Sequence, residues 1–311
     1  MTPVVATVLV VVAMVAVVVH NLHGSDSDAG PTPGTTTISG AADALTTTQP
    51  KPTTTSLTPT TTPDNPALAL AAVHAVDALH VSGVQYGVAI LDRQTGHETV
   101  GEEGDIGFFS ASVIKLFVVV ALLHQQEQGQ IKLDSNDQYD IRRALELSDD
   151  NAMDALWVNF NGPVLVDDMI KLADLRHTVL DANNSGEWGE TKISATDVLA
   201  VWQYALTKLT PADSSLVIGY THSAANNGAD GFDQAFGLLQ PPRNTSVKAK
   251  QGWMIAGSQM ILNTTGVLGS DNKYVIAIMT KQSAGIGYSR GRANVDKASS
   301  LVQKALAPAI T

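Results

Sequence analysis

Ser112 and Lys115 stand three residues apart, where a Gly-Phe-Phe loop gives way to a long apolar run. On a helix this spacing places both side chains on one face, so the hydroxyl and the amine can approach within hydrogen-bonding distance. Free N–H groups at a helix start favour a developing oxyanion, and apolar neighbours such as Ile114 and Leu116 lower the pKa of a lysine by desolvation. The pair therefore predicts an activated serine nucleophile. The alternative is an N-capping serine followed by an exposed lysine, and the tetrapeptide by itself leaves it open.

Two further motifs follow along the chain. Ser-Asp-Asp stands at 148–150 within a helical stretch, and Lys-Gln-Gly stands at 250–252, where a predicted strand ends. Together with Ser112 and Lys115 they resemble the class A β-lactamases and penicillin-binding proteins, whose Ser-x-x-Lys, Ser-Asp-Asn and Lys-Thr-Gly motifs come in this order. The resemblance covers residues 67–311. It implies a serine hydrolase that forms an acyl-enzyme with β-lactams or with D-alanyl peptides of the cell wall.

The resemblance also implies a role for the residues of each motif. Ser112 is the expected acyl-forming nucleophile and Lys115 its base, and Ser148 is expected to pass a proton to the leaving nitrogen. Lys250 is expected to supply positive charge near Ser148 and the substrate carboxylate. Asp150 or Asn151 is expected to contact the substrate amide, and Gln251 and Gly252 are expected to lie beside the substrate. The backbone N–H groups of Ser112 and Trp253 are expected to form the oxyanion hole.

The sequence departs from the family pattern at all but the first motif. Asp150 occupies a position where asparagine is usual, with Asn151 one place later, and Gln251 stands where threonine is usual. The deacylating glutamate of the β-lactamases, in a Glu-x-x-x-Asn pattern, has no counterpart. Glu187 and Glu190 are the glutamates between the second and third motifs, and neither has asparagine four residues later. We therefore expect slow deacylation, with a wall-binding protein that has lost turnover and a D-alanyl-D-alanine carboxypeptidase as alternatives.

The elements that must position these residues follow from apolar periodicity and from turn residues. They predict an α+β fold of the β-lactamase type: an antiparallel sheet of about five strands, assembled from both ends of the chain and flanked by helices, with a helical lobe inserted. The predicted helices are 67–79, 112–128, 144–160, 164–175, 194–209 and 294–306. The predicted strands are 86–92, 97–100, 246–250, 259–267 and 273–280. The loop 181–190 is expected to lie at the rim of the site.

The N-terminus differs in composition from the rest of the chain. An apolar run over 3–19 lies between the lengths typical of a cleaved signal peptide and of a membrane-spanning helix, so residues 1–23 are predicted to be either a signal peptide or a signal anchor. Residues 24–66 are rich in Thr and Pro and lack the apolar surface that a fold needs, which predicts a disordered stalk. We therefore expect an extracytoplasmic, membrane-anchored or secreted protein of the cell envelope, with its folded domain at 67–311.

Composition and charge limit the remaining classes of function. The formal net charge of −11 disfavours binding to nucleic acid. The sequence has no cysteine, which excludes disulfides, thiolate zinc sites and a thiol nucleophile. Its eight histidines show no metal-ligand spacing, and no Gly-x-Ser-x-Gly elbow supports a Ser-His-Asp triad. We expect no cofactor and no metal, a β-lactam or a peptidoglycan stem peptide as the ligand, membrane contact through the N-terminal segment, and a monomer.

Overall fold

One five-stranded antiparallel sheet organises the computed structural model, which describes residues 66–181 and 186–310. Its strands come from both ends of the described chain, in the order β2-β1-β7-β6-β5, so that β5 is an edge strand. A short second pair joins β3 to β4. The strands are β1 (Val84–Asp92), β2 (His97–Val100), β3 (Phe108–Phe109), β4 (Lys192–Ile193), β5 (Lys248–Ala256), β6 (Gln259–Leu268) and β7 (Tyr274–Ser283).

Helices cover both faces of the sheet. Because side chains alternate along a strand, Val88 and Ile90 of β1 pack in a core with the first and last helices, whereas Ala89 and Leu91 pack in the core of the helical lobe. The helices are α1 (Pro66–Asp77), α2 (Ile114–Glu127), α3 (Ser135–Glu146), α4 (Asp150–Asn159), α5 (Gly162–Leu172), α6 (Ala195–Thr207), α7 (Pro211–His222) and α8 (Tyr288–Leu306).

The predicted α+β fold with a five-stranded antiparallel sheet is confirmed, but the predicted helix 144–160 is wrong. The chain breaks between α3 and α4, because Ser148 has a left-handed φ of 53° and Asp149 caps α4 by accepting hydrogen bonds from the N–H groups of Asn151 and Ala152. Such a left-handed residue ends one helix, and the aspartate begins another. The break places Ser148 and Asp149 in a short buried connection between the two helices, directly before the exposed Asp150.

Two further helices and the length of β5 also differ from the prediction. Both helices carried start signals in the sequence: a capping box of Asp134 and Asp137 at α3, and Thr210 followed by Pro211 at α7. β5 continues to Ala256, so Lys250 lies near the beginning of the strand, whereas the sequence placed it at the end.

The described residues contain no helix that is long and apolar enough to cross a membrane. The apolar run at 3–19 and nearly all of the predicted stalk lie outside the described residues, and the last stalk residue, Pro66, is the first residue of α1.

Candidate active site

Ser112 and Lys115 lie together at the start of α2. A 3₁₀ turn over Ala111–Val113 leads into the helix, and Ala111 has a left-handed φ of 45°. Lys115 Nζ lies 2.7 Å from Ser112 Oγ, and the lysine side chain is fully buried. The alternative of an exposed lysine behind a capping serine is therefore wrong. The first turn of this helix has no side-chain cap, and the serine hydroxyl contacts the amine.

Lys115 has three further neighbours that converge on its amino group. Nζ donates to the carbonyl oxygen of Ser148 at 2.9 Å and lies 2.5 Å from Asp150 Oδ1. The ring of Trp188 lies against it, with 4.5 Å between Nζ and the ring centroid. Burial lowers the pKa of Lys115, and the Asp150 carboxylate opposes part of that shift.

A second lysine and serine pair stands beside the first. Lys250 Nζ lies 2.7 Å from Ser148 Oγ and donates to the carbonyl oxygen of Gln251 at 2.9 Å. The Lys250 side chain is buried, and this burial, with repulsion from Lys115, lowers its pKa well below the ordinary value. Burial therefore favours the neutral, proton-accepting form of both lysines, and each of them contacts a serine hydroxyl.

The edge strand β5 reaches the nucleophile because Gly252 has no side chain. A Cβ atom there would lie 2.7 Å from the carbonyl oxygen of Ser110 and 3.2 Å from the nitrogen of Val113. On β6, Asn263 donates to the carbonyl oxygens of Phe109 and Ser110 at 2.9 and 3.2 Å. These contacts hold the segment before Ser112 against the sheet.

An open cleft of about 370 Å³ leads to Ser112. Trp188, on the loop that forms one wall, donates its indole N–H to Asp154 Oδ1 at 2.8 Å. Ser110 holds the same loop, with Oγ donating to the carbonyl oxygens of Gly189 and Trp188. The lining residues are Ala111, Ser112, Asp150, Asp154, Gly186, Glu187, Trp188, Gly189, Trp253 and Met254.

The predicted glutamates separate in the structure. Glu187 lines the cleft with Ser112, whereas Glu190 lines a different depression with Phe109 and Lys192. The expectation that the loop 181–190 lies beside the nucleophile holds for residues 186–189, and residues 182–185 lie outside the described part.

Most, but not all, of the predicted site residues come together. Ser112, Lys115, Ser148, Lys250 and Asp150 are in direct contact, Trp253 lines the cleft, and Gly252 packs behind the nucleophile. The side chains of Gln251 and Asn151 do not join them.

The expectation that the side chains of Gln251 and Asn151 contact the substrate directly does not agree with their positions in the structure. The Gln251 side chain is buried and donates to the carbonyl oxygen of Phe236, so it points to the interior and not to the cleft. Asn151 is exposed on α4, does not line the cleft, and bonds Asp149 through its backbone N–H. Neighbouring residues in a strand or at a helix start face different directions. Gln251 therefore points away from Lys250, and Asn151 points away from Asp150.

Trp188, Asp154 and Asn263 also contact the site or its segments, and none of the three belongs to a motif. A tryptophan in a polar loop was the available signal for the first, since such a side chain needs an apolar or cationic surface to cover. Asp154 lies one turn after Asp150 on α4, so the helical spacing could have indicated it. Asn263 had no signal, because its partners come from a distant segment of the chain.

Comparison with known proteins agrees with this geometry. Residues 68–146 match the model of the Beta-lactamase enzyme family. The chain belongs to the family of the mycobacterial protein LppW, and its matched segment and its fold are those of the β-lactamases. A putative lipoprotein, LppW, of Mycobacterium tuberculosis is 30% identical over 214 residues, which are 68% of this chain and 67% of that protein, and LppW of Mycobacterium bovis matches equally.

Solved structures of β-lactamases share the fold. A β-lactamase from Chitinophaga pinensis superposes with a TM-score of 0.62 at 16% identity, over 75% of this chain and 97% of that structure. A class A β-lactamase from Bacteroides cellulosilyticus superposes with a TM-score of 0.64 at 18% identity, over 77% and 98%. At these identities the likeness establishes the fold.

Proposed function

We propose that this protein is an extracytoplasmic serine enzyme that forms a covalent acyl-enzyme at Ser112 with β-lactams or D-alanyl cell-wall peptides and releases it slowly. The observation that carries the proposal is the 2.7 Å contact between Lys115 Nζ and Ser112 Oγ, in a buried pair that opens onto a cleft. A desolvated amine next to a serine can act as the adjacent base that activates the hydroxyl as a nucleophile.

The chemistry follows from the two pairs. Ser112 Oγ attacks the carbonyl carbon of the lactam or peptide bond, and its proton passes to the neutral amine of Lys115. The C–N bond then breaks: the Ser148 hydroxyl gives its proton to the leaving nitrogen and regains one from the ammonium form of Lys250, while Lys115 keeps the proton taken from Ser112. The N–H groups of Ser112 and Trp253 are the proposed donors to the developing oxyanion. The product of this step is an ester between Ser112 and the acyl group.

Slow deacylation is supported by what surrounds Lys115. The ring of Trp188 occupies one side of the amino group, and Asp150 and Ser148 occupy two others. A water that attacks the ester needs a base, and Glu187 is the glutamate that lines the cleft. It is exposed on the loop, and among the described residues its carboxylate has no hydrogen bond or ion pair that orients it toward Ser112.

An envelope location is supported by the N-terminus and by the relatives. LppW is described as a putative lipoprotein, and this sequence has an apolar run at 3–19 followed by a Thr/Pro-rich segment. Because the 311 residues include no cysteine, we propose that attachment, where it occurs, uses the apolar run and not a lipid-modified cysteine. The enzyme domain would then be 67–311, carried on a stalk over 24–66.

Intact-mass spectrometry of the purified full chain, followed over time after addition of a penicillin, tests the proposal. A mass increase by one penicillin that maps to Ser112 and persists for minutes supports it. A wall-binding protein without acylation shows no adduct at any time. A carboxypeptidase shows the adduct and, in addition, releases D-alanine from a D-alanyl-D-alanine peptide.

A further inference from the structure

Asp150 stands where asparagine is usual in this motif, and its carboxylate contacts the amino group of Lys115. It is the first residue of α4, directly after the capping Asp149. Its Oδ1 lies 2.5 Å from Lys115 Nζ, and its side chain is 62% exposed, whereas the lysine is fully buried. The pair therefore joins a buried cation to a carboxylate that borders the cleft.

We propose that Asp150 is a positioning residue that keeps Lys115 in its protonated form, so that Ser112 becomes a nucleophile only after that proton is lost. The proposal rests on the proposed function, in which Lys115 must be neutral to accept the proton of Ser112. The contacts of Nζ support it: Ser112 Oγ, Ser148 O and Asp150 Oδ1 are three acceptors for the three N–H groups of an ammonium. In that form Nζ has no free electron pair.

Other charged groups lie around Lys115 on α4, on β5 and on the loop at the cleft. On α4, Asp149 is engaged by Arg143 in an ion pair at 2.5 Å, and Asp154 accepts from the indole of Trp188. The buried Lys250 on β5 repels Lys115. Glu187 borders the same cleft on the loop.

Among these groups, Asp150 makes the direct bond and most strongly favours the charged amine. Its charge and its hydrogen bond raise the pKa of Lys115, against a larger lowering by burial, and Asp149 and Asp154 add less. An asparagine at this position has nearly the same shape but no charge. With asparagine at position 150, no bonded carboxylate would oppose the lowering of the Lys115 pKa by burial. A larger fraction of Lys115 would then be neutral at pH 7.

Asp150→Asn tests the proposal in the full chain. The second-order rate constant for acylation by a fluorescent penicillin is measured between pH 5.5 and 9.5. Because the rate rises as Lys115 loses its proton, the variant should shift the rising limb to lower pH by about one unit, which is about a tenfold faster reaction at pH 7. Asp150→Glu, which keeps the charge, should keep the midpoint of the rising limb near that of wild type, whatever the longer side chain does to the maximal rate.

A matched control changes the net charge by the same amount elsewhere. Asp174 is 85% exposed and has a left-handed φ of 51°, which asparagine accepts readily, so Asp174→Asn should leave the profile in place. An Asp150→Asn profile that coincides with wild type, or that moves to higher pH, overturns the proposal.

A second readout does not depend on acylation. Titration of the Lys115 side-chain nitrogen by ¹⁵N NMR, with the signal assigned by its loss in Lys115→Met, should show the midpoint at lower pH in Asp150→Asn than in wild type. Equal midpoints overturn the proposal. Absence of any penicillin adduct together with a lowered midpoint refutes the proposed function and leaves the inference about Asp150 standing.

Discussion

Lys250 Nζ lies 2.7 Å from Ser148 Oγ, although the two residues are 102 positions apart in the chain. Lys250 comes from an edge strand of the sheet, and Ser148 comes from the turn between α3 and α4. The contact therefore joins the sheet to the helical lobe at the point where Lys115 also donates to Ser148. It brings two motifs that are far apart in the sequence into one hydrogen-bonded cluster.

Lys250→Met should lower the rate of acylation by about 10²–10⁴-fold, because Ser148 loses the group that returns its proton. The free energy of unfolding should be unchanged or higher, since replacement of a buried ionisable group by an apolar one of similar volume removes a desolvation cost. Penicillin-labelling rates and thermal melts check the two expectations. Lys248→Met, on the same strand and only half-buried, is the control. Equal labelling by wild type and Lys250→Met would contradict the proposed role.

Ser112→Ala should abolish covalent labelling, whereas Ser110→Ala should not. Ser110 Oγ bonds the carbonyl oxygens of the loop at Gly189 and Trp188, so its loss should cost about 1 kcal/mol of stability and leave the nucleophile in place. Gel fluorescence after exposure to labelled penicillin and denaturant melts separate the two effects. Labelling of Ser112→Ala at the wild-type level would refute the assignment of the nucleophile.

Turnover should show a stoichiometric burst followed by a slow steady state. Without an oriented base, hydrolysis of the acyl-enzyme loses about 10²–10⁴-fold in rate, and acylation is not affected. Stopped-flow absorbance of a chromogenic β-lactam measures both phases. If the steady state is instead fast, Glu187→Gln should slow it, because Glu187 lines the cleft, and Glu190→Gln should not. Fast turnover that survives both substitutions would leave our account of deacylation wrong.

Gly252→Ala should destabilise the domain by about 1–3 kcal/mol, because the added carbon meets the backbone of Ser110 and Val113 and neither can move freely. The same shift should slow acylation, since it displaces the residues on both sides of Ser112. Gly219→Ala is the matched control, because a Cβ there meets no atom within 4 Å and alanine favours a helix. Chemical denaturation of both variants checks the difference. If the free energy of unfolding of Gly252→Ala equals that of wild type, then β5 does not pack closely against the segment around Ser112.

Removal of residues 1–66 should leave a protein that unfolds in one cooperative transition, because the Thr/Pro-rich segment offers little apolar surface to the domain. Circular dichroism during heating, with the full chain in detergent as reference, measures this. A fragment that aggregates or melts without a transition would place the domain boundary elsewhere, and a fragment that begins at residue 60 then tests whether the start of α1 was cut too closely.

Local features of the chain were predictable from the sequence. The spacing of Ser112 and Lys115 determines their contact, because one helical turn connects them and no distant segment is needed. The hairpin of β1 and β2 and the three C-terminal strands were predictable for the same reason, since alternation and turn residues act within a few positions.

Tertiary structure decided which residues of the other two motifs reach the site. Asp150 contacts Lys115 while Asn151 does not, because the break at Ser148 sets the phase of α4. Lys250 faces the site while Gln251 turns inward to Phe236, because the side of β5 that meets the helical lobe depends on a sheet assembled from both ends of the domain. Sequence supplies the side chains and their local spacing, but the direction in which a strand or a helix start points them is determined by contacts with residues far away in the chain.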